Sequence, residues 1–249
     1  MIVLSLGLNF TWANQGVDKY DENTQSFTLP QLEMLAGLPK PPFIIEQNGV
    51  GLQLELIRQA FKSVEHKVNF THVPAGRTTN AFEGYKVDGI SLLPSNFQHS
   101  GIFVSKPYIH YQNVAISLAD RHFVFDEISG LEGKSVIAFQ NAKKFNGEAY
   151  IASVNLSTYY REIADQIQQI ELLFSRRTDV IILDVNIFKY FIKTHLDGHY
   201  NQDFNIHYIF AEREYAAGFR SEQQRDLFDL AIARIKAQGV YQQVLALYL

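Results

Sequence analysis

The chain has 249 residues, 47% of them hydrophobic, with 22 basic against 26 acidic side chains and a net charge of -4. That length holds one large core or two modest ones. The near balance of charge, with no basic run or acidic tail, argues against recruitment by nucleic acid or an anionic membrane and makes a small molecule the expected partner. Cysteine is absent, which excludes disulfides, zinc-thiolate sites, thiol nucleophiles and a lipid attached through an N-terminal cysteine.

The start, MIVLSLGLNFTWANQ, is an apolar segment of secretory length whose Thr11-Trp12-Ala13 end suits a cleavage site that wants small outer residues. Residues 1–13 are therefore expected to be a signal peptide or its remnant. No Lys or Arg precedes the apolar run, so a first strand is the competing reading. The segment is too short to span a membrane, and export without an anchor points to a soluble periplasmic protein.

Residues 17–30 are polar and irregular, and after them a strand-helix rhythm begins. QLEMLAGL reads as a strand. Pro41 and Pro42 fix φ and remove backbone donors, so the chain must leave the sheet there. Phe43, Ile44 and Ile45 form a short apolar run, Gln47-Asn48-Gly49 has turn chemistry, and Leu52, Leu56, Ile57, Ala60 and Phe61 recur at helical spacing. Loops at the carboxyl ends of strands in open α/β sheets are common ligand sites, which makes this stretch a candidate cleft rim; an ordinary strand-to-helix connection is the plainer alternative.

HKVNFTHVP alternates as a strand should, GRTTNAFEGYK reads as a short helix, and DGISLLP as another strand. HYQNVAISLAD reads as one longer strand. A second series follows: a strand at 135–139, a polar helix around 146–150, then NLSTYYREIADQIQQIELLF, where Ile163, Ile167, Ile170 and Leu173 keep a helical period. VIILDV is apolar on both faces, as buried parallel strands are, and ends at Asp184. NIFKYFIKTHL is a helix. The closing EQQRDLFDLAIARIKAQGVYQQVLALYL places Leu227, Phe228, Ala231, Ile232 and Ile235 on one helical face, with Gly239 as a stop. Two α/β lobes fit this order better than one sheet.

The order of these motifs resembles the family 3 extracellular solute-binding proteins, the clamshell receptors of importers for polar amino acids and similar solutes. KPPFIIEQNGVGLQLELIRQAF, GRTTNAFEGYKVDGISLLP, IFVSKPYIHYQNVAISL, ISGLEGKSVIAF, RRTDVIILDVNIFKYFI and EYAAGFRSEQQRDLFDLAIARIKAQGVYQQVLALYL carry the resemblance, from about Leu32 to Leu249. It implies an α/β, two-lobed clamshell, each lobe a mostly parallel sheet flanked by helices, joined by two crossing strands. Residues 28–112 plus 212–249 would form the first lobe and 113–211 the second. The implied function is capture of a small polar solute, an amino acid or related metabolite, by hinge closure, and delivery to an ABC transporter permease. The implied molecule is a monomer with no cofactor and no nucleic-acid partner. A sensor working with a membrane receptor and a dehydratase-like enzyme are the alternatives.

Carried onto this sequence, the resemblance gives Asp184 to a ligand ammonium; a helix N-cap is the competing role, which Asp fills well. Phe43 would face the ligand from the first lobe. The family's carboxylate-binding arginine has no counterpart in LPSNFQHSG, and its Gly-Ser or Gly-Thr pair is replaced by Asn141-Ala142. Lys40 stands where an aromatic often does. Arg77 and Lys40 are the cations that could compensate, each with a plain surface role as the alternative. Ser91 and Ser95 lie on or just after a cleft strand, and Tyr108 and Tyr111 could stack on a ligand or pack between lobes. The resemblance thus does not name the ligand.

No G-x-S-x-G, P-loop or H-E-x-x-H motif is present, so no catalytic residue is assigned and the chain is not expected to be an enzyme. In the dehydratase alternative Glu55, Asp184 or Glu212 would serve as acid or base. His195 and His199 are spaced as metal ligands on a helix can be, but Asp-Gly between them suggests a helix end, and no metal site is expected.

Overall fold

The computed structural model describes residues 29–45, 49–195 and 202–249. The segment 1–13, the Gln47-Asn48 part of the turn and His199 lie outside them.

The first lobe starts with strand β1 (Gln31–Ala36), whose pattern passes from exposed to buried as it enters the core. Helix α1 (Leu52–Ser63) follows the proline loop and buries Leu52, Leu54, Leu56, Ile57, Ala60 and Phe61. Strand β2 (Lys67–His72), helix α2 (Thr78–Gly84) and strand β3 (Gly89–Pro94) come next. The short strands β4 (Phe103–Val104) and β5 (Ile109–Tyr111) lead to the first crossing.

Strand β6 (Asn113–Leu118) opens the second lobe. It is followed by β7 (Ser135–Phe139), α3 (Ala142–Asn155), β8 (Tyr159–Ile163), α4 (Gln166–Phe174), β9 (Val180–Asp184), α5 (Val185–His195) and β10 (Phe204–His207). Strand β11 (Arg213–Phe219) returns the chain to the first sheet, and helices α6 (Glu222–Ala237) and α7 (Val240–Tyr248) close it.

The two sheets have the orders β2-β1-β3-β11-β4, with β5 pairing β11, and β10-β6-β9-β7-β8. Strands β2, β1 and β3 are parallel, as are β8, β7 and β9. The antiparallel pairs come from strands next to the crossings, β6 with β9 and β11 with β3. This is the two-lobed clamshell arrangement, with helices packed on both sheets and two crossings between them.

Three local expectations change. The run from His110 to Asp120 is not one strand. Tyr111 pairs in the first sheet and Asn113 in the second, so the chain changes sheets at Gln112. The helical period through Ile163 is coincidental: Tyr159–Ile163 is a strand parallel to β7, and the helix begins only after Asp165. Asp165 fixes that start by accepting from the N–H groups of Ile167 and Gln168 at 3.0 and 3.2 Å. The polar helix around 146–150 is longer than its pattern suggested, because Gly147 at φ 81° joins two helical segments across a kink.

Candidate functional site

In both lobes the parallel strands end facing the crossings. The loop after β1 carries Lys40 and Phe43, the turn after β2 carries Arg77, and Ser95 follows β3. Asn141 follows β7, and Asp184 ends β9. Such carboxyl edges are where open α/β sheets place ligands.

Backbone bonds fold the proline loop into a compact hairpin: the Lys40 N–H donates to the Ile44 carbonyl at 2.8 Å, and the Phe43 N–H to the Lys40 carbonyl at 3.0 Å. The first free donors of α1 are satisfied by this loop, since the Leu52 and Gln53 N–H groups reach the Pro42 and Phe43 carbonyls at 2.9 and 3.0 Å. Close approach requires Gly51, at φ 132°, where a Cβ would stand 2.4 Å from the Phe43 carbonyl oxygen.

The hairpin sets the Phe43 ring on Tyr111, with centroids 3.9 Å apart and planes at 18°. Tyr215 meets Tyr111 edge-on at 5.1 Å. The Lys40 ammonium lies 4.8 Å from the Tyr111 ring centre, a cation held on an aromatic face. Beneath, the Tyr111 hydroxyl donates to Gln53 Oε1 at 3.3 Å, Gln53 Nε2 to Ser91 Oγ at 2.8 Å, and the Tyr108 hydroxyl to the Ser91 carbonyl at 2.6 Å. Burial raises the pKa of both Tyr108 and Tyr111, which keeps them neutral donors. Ser91 and Tyr108 thus form the packed floor under the Phe43–Tyr111 stack, both only 1% exposed.

Asp184 is 2% exposed. Its Oδ2 accepts the Gln112 N–H at 2.8 Å, and its Oδ1 accepts the Asn186 and Ile187 N–H groups at 2.9 and 3.1 Å. One carboxylate therefore caps α5 and pins the residue at which the chain changes sheets. Burial raises its pKa, while the Lys40 charge and these backbone bonds pull it down. Desolvation lowers the Lys40 pKa, and Asp184 opposes that. Lys40 is exposed as a residue, so water still reaches it. The two charges, one from each lobe, act on each other across the crossing.

On the second lobe Asn141 adopts φ 67° at the start of α3. Its N–H donates to Glu162 Oε2 at 2.7 Å, the Lys143 N–H to Glu162 Oε1 at 2.9 Å, and the Tyr160 hydroxyl to the same Oε1 at 2.7 Å. The donors at this helix start are thus occupied by the chain's own carboxylate. Asn113, the register partner of Asp184, donates to Asn146 Oδ1 at 3.3 Å, and the shielded Asn146 Nδ2 has no acceptor.

Of the residues expected at the site, Lys40, Phe43 and Asp184 gather at the crossing with Tyr111, and Ser91 and Tyr108 lie beneath. Asn141 is set apart on Glu162. Arg77 ends a short turn at Ala75–Arg77 and Ser95 follows β3, both exposed on the first sheet's edge. Gln112, Glu162, Gln53 and Asn146 were not singled out from the sequence, since nothing around them marks a buried or bonded polar group. Glu55 lies on α1, accepting from Gln59 at 2.6 Å, and Glu212 is exposed beside His110. Among the described residues no group of three or more His, Asp or Glu could hold a metal ion, and no helix is long and apolar enough to cross a membrane.

No protein-family model and no curated protein sequence matches the chain. Solved structures share its fold. The GluR0 ligand-binding core, in complex with L-glutamate, aligns over 88% of this chain and 98% of its own, at 14% identity and a TM-score of 0.70. A histidine kinase sensor domain similar to periplasmic binding proteins aligns over 88% and 96%, at 16% identity and 0.67. AbpA, an amino acid ABC transporter substrate-binding protein from Streptococcus pneumoniae bound to L-arginine, aligns over 87% and 98%, at 15% identity and 0.64.

Proposed function

We propose that the chain is a solute-binding protein of the family 3 extracellular type, closing two lobes on a small polar solute, an amino acid or related metabolite. In this reading residues 28–112 with 212–249 and residues 113–211 are the moving lobes. Residues 1–13 direct export to the periplasm, and the closed form delivers its solute to an ABC transporter permease.

The observation that carries the reading is that Lys40, on its Tyr111 ring in one lobe, and Asp184, bonded to the crossing residue Gln112 from the other, lie near enough for their charges to act on each other where the chain crosses. Contacts that draw on both lobes favour the closed form, and a ligand shifts the equilibrium by its difference in affinity for the two states. A buried carboxylate bonded to the crossing residue ties that equilibrium to the hinge itself.

Thermal unfolding of the full chain against amino acids, hydroxy acids, dicarboxylates and polyamines tests it. A solute at a hundred times its dissociation constant adds about 2.7 kcal/mol to stability, a visible rise in the midpoint. Small-angle scattering with the same solute should show a smaller radius of gyration. A panel that moves neither quantity overturns the reading.

A further inference from the structure

We infer that the solute is an organic anion without an ammonium group, held by Lys40, and not an α-amino acid; this rests on the solute-binding reading above.

The argument is a balance of donors and acceptors at the crossing. An ammonium needs an open acceptor. Asp184, the buried carboxylate there, is 2% exposed and already accepts from the N–H groups of Gln112, Asn186 and Ile187. A carboxylate has about four acceptor positions, so little of this one remains for a ligand.

The donors are in the opposite condition. Lys40 Nζ has three N–H bonds, yet among the described residues it makes no hydrogen bond and no ion pair within 4.0 Å; it lies over the Tyr111 ring, 4.8 Å from its centre. Arg77, on the same sheet edge, likewise makes no side-chain hydrogen bond or ion pair among the described residues. Asn146 Nδ2, shielded and bonded through its Oδ1 to the register partner of Asp184, has no acceptor. Buried donors are almost always paired, so this one calls for a water or another acceptor that the described residues do not supply. An anion supplies acceptors for the Lys40 ammonium.

The second lobe explains why Lys40 is the anchor. Its N–H donors at the start of α3 are closed by Glu162. An incoming carboxylate there would meet a carboxylate already in place, and like charges at that distance repel. The anion is therefore drawn to the first lobe, where the Lys40 ammonium rests on the Tyr111 ring, whose stack with Phe43 is buried and fixes its position.

Isothermal titration of the full chain with matched pairs separates the possibilities: L-glutamate against 2-hydroxyglutarate, L-phenylalanine against 3-phenyllactate, and L-alanine against lactate, each pair differing in ammonium versus hydroxyl. The expected result is at least about tenfold tighter binding of a hydroxy acid than of its amino acid partner, because both carboxylates can bond Lys40 but only the amino acid must desolvate an ammonium that finds no open acceptor and lies near a like charge. Lys40→Met should weaken that binding by about tenfold or more, Lys40→Arg should restore most of it, and the melting midpoint of the free chain should stay in place for both. Tighter binding of the amino acid in every pair that binds overturns the inference and leaves the solute-binding reading standing. A hydroxy acid whose affinity is unchanged in Lys40→Met overturns the assignment to Lys40. Silence from both members of every pair overturns the inference, and the solute-binding reading falls with it only if the wider panel is silent too.

Discussion

The two lobes present the same topological feature, the carboxyl edge of a parallel three-strand unit, and finish it differently. On the first, the proline loop lays Phe43 on Tyr111 and leaves the Lys40 ammonium on the ring without an anion. On the second, Glu162 reaches back from β8 and takes the N–H groups of Asn141 and Lys143. Equivalent position in a fold does not make equivalent binding surfaces. What decides is whether a carboxylate from a neighbouring strand lies within hydrogen-bond reach of the donors the fold creates.

The sharpest break of this contrast is Tyr111→Ala. Tyr111 is 6% exposed, stacked on Phe43 and edge-on to Tyr215. Removing the ring empties the floor of the first edge, with an expected loss of about 3–5 kcal/mol in urea unfolding. A loss under about 1 kcal/mol would mean that the stack is not a structural unit.

Asp184→Ala comes next, at about 2–4 kcal/mol, the sum of a lost cap on α5 and an orphaned Gln112 N–H at the crossing. Asp184→Asn adds a pH reading. Burial raises the Asp184 pKa, so the folded chain binds this proton more readily than the unfolded one. The associated stability is fully present below the ordinary value of 3.8 and is lost as pH rises through the folded value. Asp184→Asn should flatten that part of the stability profile; an unchanged profile would contradict the burial of this carboxyl.

On the second edge, Glu162→Ala should cost about 1–2 kcal/mol, since the Asn141 and Lys143 N–H groups then turn to water. It should also open those donors, so that an added anion stabilises the variant more than the parent. The same lobe holds His207, whose Nε2 lies 2.9 Å from Ser117 Oγ. Burial lowers its pKa, so its share of stability is present above 6.5 and lost as pH falls through the folded value. The midpoint should drop on acidification in the parent, and less in His207→Gln. Lys40→Met should have the smallest effect on stability, within about 0.5 kcal/mol, as for other exposed side chains, while its effect on solute affinity is the largest of the set.

Much of the fold was legible in the sequence. The apolar runs of β1, β3, β7 and β9, the helical faces of α1 and α6 and the stops at Pro41-Pro42 and Gly239 are local signals, and each element formed where its pattern stands. The misreadings are local too. Ile163 fits a helical period by accident, and the pattern could not show that Tyr159–Ile163 has a strand partner in β7. Gln112 looks like one more residue of a strand, though it is where the chain changes sheets.

The candidate site was legible as a set of residues and not as chemistry. Asp184 stood out because a carboxylate ending an apolar strand needs compensation, and the structure identifies that compensation as backbone donors, one of them Gln112, 72 positions away. Glu162 gave no signal, because its role depends on donors 21 positions earlier brought beside it by the pairing of β7 with β8.

The sequence by itself determined the alternation of strands and helices, the turns between them and the residue types available at the cleft, because periodicity, φ restriction and charge belong to neighbours along the chain. Only the tertiary structure decided which of those groups remain open, Lys40 free over its ring, Asp184 and the start of α3 already satisfied. Desolvation and hydrogen-bond saturation depend on which residues meet in space, and no local pattern encodes that.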